Sequence, residues 1–185
     1  TLGVGAGENV SGITIGGLGV GAGENLSGIN IGGLGVGAGE TVSGITFGGL
    51  GVGAGKELKG IAISLLAVGS TKVTALVIAP IAGSQDLKGL IITPAYMKVG
   101  YTNKSKNDGV EKREDMEGSF KGVSVSAFNH IKGSQKGVTF GVVNYTHKIK
   151  GVQFGVINIV KENPKGLRVL PVFNTRFGKN NQATE

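Results

Sequence analysis

The chain has 185 residues, 36 of them glycine and 4 proline, with no cysteine or tryptophan and a formal net charge of +7. Without cysteine it has no disulfide, thiolate metal site, thiol nucleophile or lipidated cysteine, and without a G-x-y period or a proline-rich stretch it is neither collagen-like nor a polyproline linker. No apolar run reaches the ~18 residues of a spanning helix, and an apolar fraction of 39% suffices for the core of one thin, elongated domain.

The sequence opens inside a repeat, at Thr1-Leu2-Gly3-Val4-Gly5-Ala6-Gly7-Glu8, which predicts further coils, and any export signal, upstream. The unit Gly12 to Ser27 returns from Gly28 and again from Gly44, a period of 16 residues. Fixed-period self-similarity means one supersecondary unit stacked on copies of itself. Within the unit the apolar residues alternate, Ile13 and Ile15, then Leu18, Val20 and Ala22. That is a strand period. A glycine at every second position would cost a helix ~1 kcal/mol each, and β-branched residues dominate.

Two short strands per unit, turning near Gly16-Gly17 and near Glu24-Asn25, predict a coil with two flat sides. Stacked at ~4.8 Å, such coils form an all-β parallel β-solenoid of about 10–11 coils with roughly 14–16 residues per coil. If Ile13, Ile15, Leu18, Val20 and Ala22 point inward, the glycines between them point outward. Gly19, Gly21, Gly23, Gly35, Gly37, Gly39, Gly51, Gly53 and Gly55 would then form a bare face on which a second chain could pack closely. Thr14, Asn30 and Thr46 would form one outward column, a short version of the arrays with which flat solenoids bind ice; Ala62 ends it.

From Gly60 the pattern loosens, and residues 98–118 interrupt it with five basic and five acidic residues. This reads as an inserted charged loop, a place where solenoids carry recognition elements. Related units then restart at Gly122, Gly137, Gly151 and Gly166 with spacings of 15, 14 and 15 residues. They place larger side chains in the expected core: Val138, Phe140 and Val143, then Val152, Phe154 and Ile157, then Leu167 and Val169. Asn129, Asn144, Asn158 and Asn174 recur at one place and predict a ladder of stacked amides. Pro171 in the last strand pair predicts a cap. Residues 1–177 are thus expected to form one solenoid domain, comprising Gly-rich coils (1–97), the loop (98–118) and C-terminal coils with the cap (119–177). A flexible tail, 178–185, follows.

Charge is segregated along the chain. Residues 1–55 carry only Glu8, Glu24 and Glu40, whereas residues 119–185 carry ten Lys and Arg against Glu162 and Glu185. Lysine precedes the turn glycine at Lys59, Lys88, Lys121, Lys136, Lys150 and Lys165. Stacking would turn Lys121, Lys136, Lys150 and Lys165 into a positive edge for an anionic glycan, lipopolysaccharide or lipid surface. No recognition helix, RNP-type motif or interleaved aromatics points to specific nucleic-acid binding.

Catalysis needs convergent titratable groups, and the coils supply only lone His130 and His147 with Asp86 and Glu162 near turns. No catalytic, cofactor-binding or metal-binding set is expected. Gly19 to Gly23 lacks the following helix and Lys-Ser/Thr of a phosphate loop, and the calcium-binding nonapeptide needs an aspartate where these units have Gly or Ala.

The units Gly137-Val138-Thr139-Phe140-Gly141-Val142-Val143-Asn144 and Gly151-Val152-Gln153-Phe154-Gly155-Val156-Ile157-Asn158 resemble those of the uncharacterised bacterial surface-repeat proteins, variations on G-[VL]-Q-[IFV]-G-[LV]-[VIL]-N. The likeness runs over residues 119–177. It implies an exported, surface-located protein and brings no catalytic residues. Together these readings predict a non-enzymatic structural or interaction protein of the cell surface, a homo-oligomer or the partner of an envelope protein, acting through the glycine face. An outer-membrane β-barrel or an anionic-glycan-binding module is the alternative.

Overall fold

The computed structural model describes residues 2–103 and 115–177. Short and long strands alternate in the first coils: β1 (Gly3–Ala6), β2 (Asn9–Gly16), β3 (Gly19–Ala22), β4 (Asn25–Gly32), β5 (Gly35–Ala38) and β6 (Thr41–Gly48). Longer runs follow as β7 (Gly51–Ser64), β8 (Ala67–Ile78) and β9 (Ile81–Val99), then the pair β10 (Tyr101–Asn103) and β11 (Asp115–Glu117). β12 (Ser119–Val160) and β13 (Val169–Thr175) complete the chain.

Pairing through the coils is parallel. Gly12 registers in turn with Gly28, Gly44, Gly60, Ala75, Gly89 and Gly122, which makes six turns of a β-solenoid. Stacking continues inside β12. A Cβ on Gly137 would stand 2.0 Å from the Gly122 oxygen, and one on Gly151 would stand 2.0 Å from that of Gly137. These steps fall short of ten or eleven coils because the chain leaves the stack twice. The β10–β11 pair is an antiparallel excursion between Gly100 and Gly118, and beyond Val160 the chain turns back. Lys98 and Val99 still belong to β9, so the excursion starts later than expected; residues 104–114 of the expected loop, and the tail 178–185, lie outside the described residues. The barrel alternative requires an antiparallel meander, which these coils do not form.

The coil has three straight segments rather than two. Gly12, Gly28, Gly44 and Gly60 sit mid-strand at φ 97–101°, a region that L-residues avoid. A Cβ on Gly28 would approach the Gly12 oxygen of the coil below at 2.1 Å. The strand therefore kinks at this glycine, giving segments such as Gly19–Ala22, Asn25–Ser27 and Ile29–Gly32.

The kink preserves the alternation of faces. Within the strands of the first coils the even-numbered side chains point inward, so Val20, Ala22 and Leu26 are buried, as are Thr14, Asn30 and Thr46. Ile13 and Ile15 are instead 76% and 59% exposed, and Leu18 is exposed as well. This reverses the expected placement of those three apolar residues and removes the Thr14–Asn30–Thr46 column from the surface. The physical reason is space. Leu26, Val42, Leu58, Val73, Leu87 and Phe120 occupy successive registered positions, all at most 2% exposed, and fill the middle of the coil together with the Val20 column. At Gly32 a Cβ would already lie 2.1 Å from the Gly35 oxygen and 2.9 Å from Val36 Cγ2. A second pair of isoleucines per coil has no room.

The same correction applies to the C-terminal coils. Phe140, Phe154, Ile157, Leu167 and Val169 are all exposed, and Val138, Val143 and Val152 are half-exposed; the interior there is built from Phe120, Ile131, Ile149 and Val160 with buried amides. β13 closes the stack by pairing antiparallel with Val152–Ile159, with a register shift between Gly155 and Asn158. Pro171 and Val172, the latter at φ 65°, stand opposite that irregularity.

Candidate functional site

The feature these placements create is an outer face of apolar side chains. On one column Ile13, Ile29, Ile45 and Ile61 continue in register as Leu76, Leu90 and Val123. The second column, two residues on, reads Ile15, Ile31, Phe47, Ile63, Ile78, Ile92 and Val125. Within β12, Phe140 and Phe154 extend it as stacked rings with centroids 5.4 Å apart. No polar side chain interrupts either column. At the next turn Leu18, Leu34, Leu50 and Leu66 add a third exposed row over the first coils. The inward register between the columns is mixed, with Thr14, Asn30, Thr46 and Ser124 beside Ala62, Val77 and Ile91, so the outer face is at least as apolar as the inner one, unlike a solvated sheet face.

Lysines border this face. Position 11 of the first coil registers with Ser27, Ser43, Lys59, Thr74, Lys88 and Lys121. Lys136 and Lys150 precede the stacked glycines Gly137 and Gly151 and so continue the column. All five of these lysines are exposed and lie two residues from the first apolar column. Lys165 does not join them; it opens a 3-10 turn, Lys165–Leu167, beyond the coils. Glu57 is bridged to Lys59 at 2.8 Å and to Lys72 at 3.1 Å. Hydrogen bonds from those two lysines hold its carboxyl below the usual range.

The expected glycine face exists in part. Gly19, Gly21, Gly35, Gly37, Gly51 and Gly53 alternate with inward Val and Ala, and a Cβ on any of them would come no nearer than 3.2 Å to another atom. Gly23, Gly39 and Gly55 differ. There a Cβ would stand 1.8–2.1 Å from a carbonyl oxygen of the preceding coil, so turn packing accounts for them. The bare surface narrows along the stack: the position of Gly35 and Gly51 becomes Ala67, Ile81 and, from the matching backbone bonds, Tyr96, while that of Gly37 and Gly53 stays glycine at Gly69 and Gly83.

The asparagine ladder is present and explains the repeat. Asn129 Nδ2 donates to Asn144 Oδ1 at 2.7 Å, and Asn144 Nδ2 donates to Asn158 Oδ1 at 2.8 Å, all three residues being at most 2% exposed. The first two amides also donate to the next coil's phenylalanine carbonyl, Asn129 to Phe140 at 3.0 Å and Asn144 to Phe154 at 2.9 Å, and Asn158 donates to the Leu170 carbonyl at 3.2 Å. The glycine after that phenylalanine must lack a side chain. A Cβ on Gly141 would meet Asn129 Nδ2 at 2.7 Å, and one on Gly155 would meet Asn144 Nδ2 at 2.6 Å. Asn174 arrives on the antiparallel β13, donates to the Asn158 carbonyl at 3.0 Å and accepts from Asn163 Nδ2 at 3.0 Å. A second internal pair, Gln153 Nε2 to Gln135 Oε1 at 3.1 Å, was not foreseen, although both glutamines occupy inward positions of the strand period.

His130 is half-buried between Tyr96, whose hydroxyl lies 2.9 Å from Nδ1, and the edge-on ring of Tyr145. Burial, then the charges of Lys132 and Lys98, lower its pKa from 6.5. Folding therefore favours the neutral ring. The stability this contributes is present above the unfolded value and lost as pH falls through the lowered folded one. The melting temperature should drop more steeply between about pH 7 and about pH 5 in the parent than in His130→Gln; equal slopes would remove His130 from the acid response. Glu162 is bridged to Lys148 at 3.2 Å and stands 3.9 Å from His147 Nε2. Among the described residues no three His, Asp or Glu gather to hold a metal ion.

No protein-family model, curated protein or solved structure matches the chain.

Proposed function

We propose that this chain is a non-enzymatic interaction rod of the bacterial cell surface, which docks through its outer apolar face. One observation carries the reading: two unbroken columns of Ile, Leu, Val and Phe run along the outside of the coils. Contiguous exposed apolar patches on soluble proteins mark sites of association. The likeness of the C-terminal units to exported surface-repeat proteins supports the location. The lysine column adds attraction for anionic surface molecules, acidic glycans and lipopolysaccharide among them.

A second reading places self-association on the bare columns of Gly21, Gly37 and Gly53, where a Cβ has room and an approaching backbone would have more. Sedimentation and envelope co-fractionation separate the two. The parent is expected to associate with envelope or with its own copies. Ile45→Glu/Ile63→Glu should lose that association with its circular dichroism intact, and Gly21→Glu/Gly37→Glu/Gly53→Glu should keep it. Loss in the glycine variant alone would favour the second reading; identical behaviour of all three proteins would refute docking by either face.

A further inference from the structure

We infer that the occupant of the apolar face is an anionic lipid bilayer, with the apolar columns seated at the acyl boundary and the lysine column at the headgroups. The inference rests on the docking reading above and names its partner. Three observations favour lipid over a second copy of the chain.

The first is charge. Lys59, Lys88, Lys121, Lys136 and Lys150 border the face along one side. The acids near it are already engaged: Glu57 is bridged to Lys59 and Lys72, and Asp86, two residues before Lys88, accepts from the Ser119 hydroxyl at 2.6 Å, while Glu24 and Glu40 are at the turn following the glycine segment. In a face-to-face pair of copies the lysine column would lie against itself or against the leucine row, so neither arrangement gives it acidic partners. Anionic headgroups do, and an apolar face beside a row of lysines is the pattern of proteins that lie in the membrane interface.

The second is shape. Nine levels at ~4.8 Å make the two columns a narrow strip about 38 Å long with lysines along one side, and a bilayer can follow both, acyl chains against the strip and headgroups against the lysines. The third is a shallow, open depression of about 510 Å³ lined by Gly141, Val142, Gly155, Val156, Pro171 and Val172, adjoining Phe140 and Phe154 in sequence. Its lining is almost wholly apolar, which extends the surface that acyl chains would cover.

Flotation with phosphatidylcholine vesicles, with and without phosphatidylglycerol, tests the inference on the full chain. The parent is expected to float with the anionic vesicles, at least tenfold less with pure phosphatidylcholine, and less as salt is raised. Ile45→Glu/Ile63→Glu should abolish flotation. Lys88→Glu/Lys121→Glu/Lys136→Glu, altered only at exposed positions, should lose the preference for phosphatidylglycerol. No flotation of a chain whose sedimentation shows an oligomer dispersed by Ile45→Glu/Ile63→Glu would overturn the lipid inference and leave docking standing. No flotation and no oligomer would overturn both.

Discussion

Leu58→Ala is expected to destabilise the fold by about 2–5 kcal/mol, whereas Ile45→Ala in the neighbouring coil should cost less than about 1 kcal/mol. Both substitutions remove an apolar side chain from a parallel strand, so composition alone would rank them together. Leu58 is 1% exposed and stacks between Val42 and Val73, and its truncation leaves a void in a core only one coil wide. Ile45 is 49% exposed on the outer face, where truncation removes contacts with Ile29 and Ile61 and opens nothing to fill. Urea midpoints of the two variants check the difference. Equal losses would mean that both residues are core.

Asn144→Ala is expected to cost about 3–5 kcal/mol, more than a typical polar substitution. Asn144 is fully buried, accepts from Asn129 and donates to both Asn158 and the Phe154 carbonyl. Removing its amide strands Asn158 Oδ1 and the Phe154 carbonyl in an interior where each lost partner costs about 1–3 kcal/mol. Thermal denaturation should show the loss, and Asn144→Asp should share it, because a carboxylate cannot donate to Phe154 or to Asn158. A loss below about 1 kcal/mol would mean that the interior admits water to these groups.

The solenoid was legible from spacing alone. A strict 16-residue unit with a two-residue alternation has few other ways to bury its apolar surface, and the Gly-Val-x-Phe-Gly-Val-x-Asn units announced their amide ladder through the recurrence of Asn129, Asn144 and Asn158. The orientation of the faces was not legible. Each coil has apolar residues on both parities, Val20 and Ala22 on one and Ile13 and Ile15 on the other, so hydrophobicity could not say which set goes inside. The φ near 100° at Gly12 and its counterparts keeps one parity inward through the kink, and the space already filled by the Leu26 and Val20 columns leaves the isoleucines outside; neither a φ nor a filled interior is announced by the sequence. The lysine column followed from position relative to the turn glycine, and Lys165 failed it because the coil ends before that residue.

The glycines illustrate the same limit. Gly21 and Gly23 are indistinguishable in the repeat, yet a Cβ on Gly21 would have 3.9 Å of clearance and one on Gly23 would collide with the Gly7 carbonyl. One belongs to a surface and the other to a turn, and only the packing of one coil on the next separates them.

The chain contains no cysteine, so single cysteines report directly on which face is outward. Native Ile45→Cys and Ile63→Cys should react with a water-soluble maleimide at nearly the rate of the unfolded chain, while Val42→Cys and Leu58→Cys should be protected until urea unfolds them. Protection at positions 45 and 63 with free reaction at 42 and 58 would turn the coil inside out and remove the apolar docking face.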